Sequence, residues 1–395
     1  VRTAYLDHLR GFFNPTSLCM EVVGAQVPYQ VKLSSLGLPK EWVAETTLAP
    51  RDVNSKGFGV YEAAHYDELI DHPVALGVFQ RVQWKACGIP HEMVIQGALC
   101  DVNKEQLASD LKAICESQIT FFDPDSKRPP FDRYLFMVNA VGDGYGGLEH
   151  RSSTALLCKR DDLPYKGKDY SKDEAYQDFL GLCSHEYFHA WMVKRVKPER
   201  FIPYDLSQPN HSTLLWLFEG FTSYYDDLHL LRSHRIDLKT YLKRIEKTWN
   251  MVLRGPGRRR QTVAESSYDA WTKYYQMDEN TPNTVVSYYA KGALIALQLD
   301  LEIRAFTKNR HSLDDFMRHL YQMYQLTQRG VDESDLDSAM AFLFGPDFLS
   351  RWLAFKEKYI HGTLDLPLAV SLSQLGYKVF EKSTISLESA ELMKQ

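Results

Sequence analysis

Apolar and polar positions alternate in short runs through the first hundred residues. "SLCMEVV" (17–23), "YQVKLSSL" (29–36), "EWVAETTL" (41–48) and "HEMVIQGAL" (91–99) carry β-branched residues and are separated by Gly, Pro and Asn. That pattern predicts strands and an antiparallel β-domain over residues 1–102. The period changes after Asn103. In "KEQLASDLKAICESQ" the apolar positions Leu107, Leu111, Ile114 and Cys115 fall on one helical face. "RYLFMVNAV" (133–141) reads as a buried strand, "GDGYGG" (142–147) as a tight loop, and "LEHRSSTALLC" (148–158) as a second extended segment. From Ser171 the chain turns helical. Ser171 and Glu174 form a capping-box pattern, and the helix is expected to run to about Val196, before Pro198. Another helix is predicted from about Ser212, and further ones over 283–307, 313–325, 333–344 and 347–360. The last thirty residues read as partly linker-like.

A chain of 395 residues exceeds what one core organises. The expected division is a β-domain (1–102), a central domain (103–256) and a C-terminal helical domain (257–395), an α+β multidomain protein. Composition is that of an ordinary globular chain, 44% hydrophobic and 25% charged. The net charge of −5 argues against a nucleic-acid partner. The basic cluster "RGPGRRR" (254–260) reads as a solvated loop. No apolar run approaches the roughly 18 residues of a membrane helix. Cys19, Cys87, Cys100, Cys115, Cys158 and Cys183 form no C-x-x-C pair. They read as free thiols, which fits the cytoplasm. The chain starts at Val1, so a fragment or a processed form is expected, and a periplasmic or secreted location stays open.

Candidate chemistry sits in "SHEYFHAWMVKRVKP" (184–198), which contains H-E-x-x-H. On a helix His185 and His189 share a face, and two imidazoles so placed can hold one Zn²⁺ at about 2.0–2.1 Å. Glu186 lies about 100° around the helix, positioned to reach a water rather than the metal. The pattern alone arises by chance too readily, and a catalytic zinc wants a third protein ligand. Glu219, in "LLWLFEGFTSYYDD" (214–227), is a carboxylate among large apolar residues, costly to bury unless paired or metal-bound. The competing reading is a solvent-facing Glu. Asp226 and Asp227 read mainly as surface-pairing residues, with orientation of a ligand histidine as the alternative.

With those residues assembled, "HEYFHAWMVKRVKP", "FEGFTSYYDD" and "SYYAKGALIALQLDLEIR" (287–304) resemble the glycyl aminopeptidase family, peptidase family M61. So do "AYLDHLRGFFNPTSL", "YDELIDHPVALGVF" and "GGLEH" (146–150) nearer the N-terminus. The resemblance implies a thermolysin-like (gluzincin) catalytic domain between the β-domain and the helical domain. It also implies a C-terminal PDZ domain that this sequence does not reach. One departure stands out: the family usually has Asn where this chain has Met192, which puts a hydrogen bond near the site in doubt.

Carried over residue by residue, the resemblance implies His185, His189 and Glu219 as ligands of one zinc and Glu186 as general base. Glu149 would bind the substrate's free amino group, and Tyr289 of Y-x-K-G would serve the transition state, with Tyr288 its nearest competitor. Gly146 and Gly147 would let the substrate backbone approach. Simpler readings are a surface strand residue for Glu149 and a core aromatic for Tyr289. The implied activity is a zinc aminopeptidase acting on peptides with a free N-terminus, small first residues (Gly or Ala) preferred. The alternatives are a zinc endopeptidase of the same fold and a silent peptide-binding scaffold.

Overall fold

The computed structural model describes residues 3–24 and 27–380. The N-terminal part forms two antiparallel sheets, β1 (Ala4–Leu6), β2 (Arg10–Phe13), β7 (Val74–Gly77) and β4 (Val43–Glu45) in that spatial order, and β3 (Tyr29–Leu33), β6 (Gly59–Ala63) and β5 (Ala49–Val53). A short helix, α1 (Tyr66–Ile70), precedes β7. The expected strand at 17–23 does not form. Pro15 opens a 3-10 turn over Pro15–Ser17, and Leu18, Met20 and Val23 lie exposed with no partner strand. Alternation alone does not make a strand when no edge is there to receive it.

A five-stranded mixed sheet comes next, in the order β11 (Gly146–Glu149), β12 (Ser153–Lys159), β10 (Tyr134–Val141), β9 (Ile89–Gln96) and β8 (Gln80–Ala86). The crossover helix α2 (Lys104–Phe122) connects β9 to β10, which is why those two strands run parallel. β10 also runs parallel to β12, while β11 returns antiparallel as the edge strand. Strands from both sides of residue 103 therefore share one sheet. Its two faces separate by the strand period. Val94, Leu135, Met137 and Ala155 pack on Phe12 and Ala75 of the first sheet. Met93, Ile95, Phe136, Val138 and Leu156 face the helices.

Those helices are α3 (Glu174–Phe188), α4 (Leu215–Phe218), α5 (Gly220–Arg232), α6 (Leu238–Arg254), α7 (Val263–Tyr268), α8 (Thr281–Thr284), α9 (Tyr288–Thr307), α10 (Leu313–Thr327), α11 (Glu333–Phe344), α12 (Pro346–Tyr359) and α13 (Leu368–Gln374). One apolar core joins the sheet to helices from both sides of residue 257. The last helix seats Leu368 in that core, so the segment read as linker-like is partly anchored. The basic cluster is not merely solvated either: Arg258 is buried, its Nε 2.8 Å from Asp365. A buried guanidinium needs such a carboxylate, and the sequence places Asp365 too far away to be guessed. No helix of the described residues is long and apolar enough to cross a membrane.

Candidate metal centre and active site

The helix bearing H-E-x-x-H begins and ends inside the span expected for it. Asp173, not Ser171, caps α3, accepting the Tyr176 N–H at 3.1 Å. Ser171 lies in the preceding turn, its carbonyl taken by Gln177. The last turn closes at Phe188, and His189 is the C-cap. Beyond it the chain folds back through a Met192–Val196 bridge, with Val193 at φ 82°. The buried Arg195 guanidinium holds this turn by donating to the carbonyls of Ala190 (2.8 Å), Arg151 (2.7 Å) and Pro130 (2.6 Å).

Glu219 sits at the junction of α4 and α5, the C-cap of one and the N-cap of the other. The predicted single helix is therefore two. Gly220, directly after Glu219, lets α5 approach α9 closely. A Cβ on Gly220 would lie 2.5 Å from Gly292 Cα, and one on Gly292 would lie 2.6 Å from the Trp216 carbonyl oxygen. α5 and α9 thus meet backbone to backbone, which brings Glu219 and the start of α9 together.

The two imidazoles and this carboxylate converge. Glu219 Oε2 is 3.4 Å from His185 Nε2 and 3.3 Å from His189 Nε2, and the two rings are 4.7 Å apart. The other nitrogen of each ring is engaged. His185 Nδ1 is 2.9 Å from Asp226 Oδ2, and His189 Nδ1 is 3.0 Å from the Met192 carbonyl oxygen. Both partners only accept, so each Nδ1 carries the hydrogen and a neutral ring presents a bare Nε2 to Glu219. Asp226 therefore orients His185 rather than pairing on the surface. It lies two turns after Glu219 on the same face of α5. Asp227 turns the other way, to Arg244 at 2.6 Å. At Met192 the His189 ring is held by the main-chain carbonyl, which any residue at that position supplies.

Two bare nitrogens facing a carboxylate make a cluster of acceptors without a donor, and Glu219 Oε2 is a buried atom with no hydrogen-bond partner. The cluster wants a cation. Burial on its own would lower both histidines. Asp226 and Glu219 outweigh it at His185, as Glu219 does at His189, and both are pushed up. Burial would likewise raise Glu219, yet the facing His189 and His185 hold it well below the usual carboxylate range. These three side chains, two nitrogens and one oxygen, are a ligand set that fits a divalent transition metal with a position left open.

A second group shares His189. Glu149, Glu186 and His189 have ligand atoms within 4.8 Å of one another. Glu186 is 5% exposed, and burial pushes its carboxyl up. Glu149 is the last residue of the edge strand β11. A Cβ on Gly147 would overlap the Glu186 carboxylate, so this glycine makes room for Glu186. Gly146, at φ 149°, faces open space. At the start of α9, Tyr289 is half-buried, its ring 6.3 Å from His185. Tyr288 is 1% exposed and packs on Tyr274, which removes it from contact with a substrate. Burial, then Glu219, push the Tyr289 hydroxyl up and keep it protonated. Tyr275, which sequence reasoning passes over, has its hydroxyl 3.1 Å from that of Tyr289. Only its aromatic neighbours Trp271 and Tyr274 mark it.

The M61 glycyl aminopeptidase model matches residues 178–295, and the peptidase M61 N-terminal domain model matches residues 1–78. Those two stretches match the M61 family. No curated protein matches this chain. Among solved structures it is similar to an aminopeptidase N family protein from Idiomarina loihiensis (39% identity, TM-score 0.90, 98% of this chain and 64% of that one). It thus spans about 64% of that relative's length. The fold is shared with an M1 zinc metallopeptidase from Deinococcus radiodurans (14% identity, TM-score 0.57, 93% of this chain and 73% of that one). It is shared too with native yeast LTA4 hydrolase (13% identity, TM-score 0.57, 91% of this chain and 51% of that one).

Proposed function

We propose that this chain is a zinc aminopeptidase that removes the N-terminal residue, Gly or Ala by preference, from peptides. The observation that carries the reading is the overlap of the two carboxylate–histidine groups at His189. The Glu149 carboxylate stands beside the general base and the metal ligands, where a cationic peptide terminus is bound next to the scissile bond. The match to the M61 family supports peptide hydrolysis and the small first residue. A mutant of an M1 zinc metallopeptidase from Deinococcus radiodurans is bound to a Tyr-Ser-Ala substrate, which supports peptides as the substrate class.

His185, His189 and Glu219 would hold one zinc per chain. Bound there, zinc supplies an acidified water and polarises the scissile carbonyl. Glu186, whose raised carboxyl suits proton exchange near neutrality, takes a proton from the attacking water and passes it to the leaving amine. Tyr289 donates its O–H to the carbonyl oxygen as charge develops there, a contact whose loss costs about 2.7–4 kcal/mol of barrier. Glu149 holds the α-ammonium group and so limits cleavage to the first bond. With Glu219 committed to the metal and Glu186 to proton transfer, Glu149 is the carboxylate left to favour the cationic end of a peptide over its carboxylate end.

Glycyl and alanyl chromogenic anilides with free or acetylated amino groups test this. Free substrates are expected to turn over, chelator to abolish turnover, and acetylated ones to resist. Equal cleavage of both would make the protein an endopeptidase and remove the role of Glu149. Glu186→Gln is expected to lower kcat at least about 10²-fold while retaining the metal. A Glu186→Gln protein with full activity excludes Glu186 as the base.

A further inference from the structure

The turn before α9 bears on Tyr289. From Ala270 to Tyr274 the backbone winds as a single π turn, and the Tyr275 N–H donates to the Ala270 carbonyl, five residues back, at 2.9 Å. In an α-helix, consecutive side chains diverge by about 100°. Here two consecutive phenols both reach the start of α9. The Tyr274 hydroxyl is 3.2 Å from Ser287 Oγ, the atom that caps α9 by accepting the Ala290 N–H at 3.1 Å. The Tyr275 hydroxyl is 3.1 Å from that of Tyr289. Single π turns of this kind recur at functional sites.

The direction of the phenol pair follows from proton counting. A phenol carries one proton. If Tyr289 gives its proton to a substrate oxygen, then Tyr275 must be the donor between the two hydroxyls. Tyr275 is 38% exposed, so water can serve its oxygen. The O–H groups then align from Tyr275 to Tyr289 to substrate, with the Tyr288 hydroxyl also interacting with both, and each bond in such a chain strengthens the next.

We propose that Tyr275 is a positioning residue for the reaction. It fixes the Tyr289 oxygen by donating to it and leaves the Tyr289 proton free for the developing oxyanion. The inference rests on the role given to Tyr289 under the proposed function. Because the bond serves the transition state more than the ground state, its loss shows in kcat rather than KM.

The test is a double-mutant cycle on the zinc-loaded protein with an alanyl anilide, with zinc content and melting temperature measured for each variant. Tyr289→Phe is expected to lose about 10²–10³-fold in kcat. Tyr275→Phe, which removes only the hydroxyl oxygen, is expected to lose about 3- to 10-fold in kcat with KM and zinc content unchanged. Tyr275→Phe added to Tyr289→Phe should cost nothing more. A phosphinic dipeptide, whose tetrahedral oxygen stands where the oxyanion forms, should bind Tyr275→Phe more weakly by the same factor. Unchanged kcat in Tyr275→Phe, or a loss that repeats in full on the Tyr289→Phe background, overturns the inference while leaving Tyr289 in place. Full activity in Tyr289→Phe overturns the role of Tyr289 itself, and the inference with it.

Discussion

Two buried clusters of acids and bases lie close together in this protein, and they are built in opposite ways. In one, Asp71 at the end of α1 accepts from Lys194 (2.7 Å) and His150 (3.1 Å), with Arg151 at 3.7 Å. Every charge there has an opposite charge beside it. In the other, His185, His189 and Glu219 turn acceptors toward one another, with the donor positions of both rings already committed. The first cluster is complete as folded and ties the N-terminal part to the turns after β11 and α3. The second is complete only with a cation added. Burial and charge are common to both; the difference that marks a site is whether the donors and acceptors balance.

The contrast predicts different outcomes for removing an acid from each. Glu219→Ala is expected to abolish zinc binding and turnover at a smaller cost to the metal-free protein than loss of Asp71, because Glu219 Oε2 has no hydrogen-bond partner to lose. Metal analysis and thermal melts check this, and an apo-protein destabilised as much as Asp71→Asn would break the comparison. Asp71→Asn should instead cost about 3–5 kcal/mol of stability, since Lys194 is left buried without its partner. Burial would raise Asp71, but Lys194 and His150 prevail and hold it well below the usual carboxylate range. A depressed carboxyl contributes stability that is present above its unfolded value of about 3.9 and lost as pH falls through the folded one. The parent is therefore expected to lose stability below about pH 4, and Asp71→Asn to lack that part of the acid transition, as denaturant titrations at several pH values would reveal.

Smaller effects sharpen the picture of how the ligands are held. Asp226→Asn keeps the shape but weakens the bond that orients His185, and zinc affinity should fall about 10–100-fold, read by competition with a chelator. Met192→Leu should leave zinc affinity within about twofold, because His189 is oriented by a main-chain carbonyl that any residue supplies. A large loss there would show that the side chain matters after all.

The chemistry of the site is more legible in the sequence than its mechanics. His185, Glu186 and His189 declare themselves through helical spacing, and Glu219 through its apolar surroundings. The structure brings them together with Glu149 and Tyr289. What spacing does not encode is how a helix ends. Reading α3 through to Val196 and α4–α5 as one helix misses that His189 and Glu219 both sit at helix termini. Asp226 reads as a surface residue, since an acid on an exposed-looking helix gives no sign of the ring it faces. Gly147 stands out in the sequence, but not for Glu186, because spacing does not tell which neighbour occupies the space its missing side chain leaves. The 17–23 segment has a strand's alternation but no partner, and pairing is a long-range property. Tyr275 is invisible because a π turn shifts the face on which a residue appears.

The contact of Gly220 with Gly292 has a practical consequence for anyone reshaping this protein. With no side chains between the two helices, Glu219 and Tyr289 ride on a single mechanical piece. Adaptation to a longer first residue cannot come from sliding one past the other. A mutagenesis library should spare both glycines and Tyr275, and place its diversity around Trp271, whose side chain is open to solvent in the segment after α7.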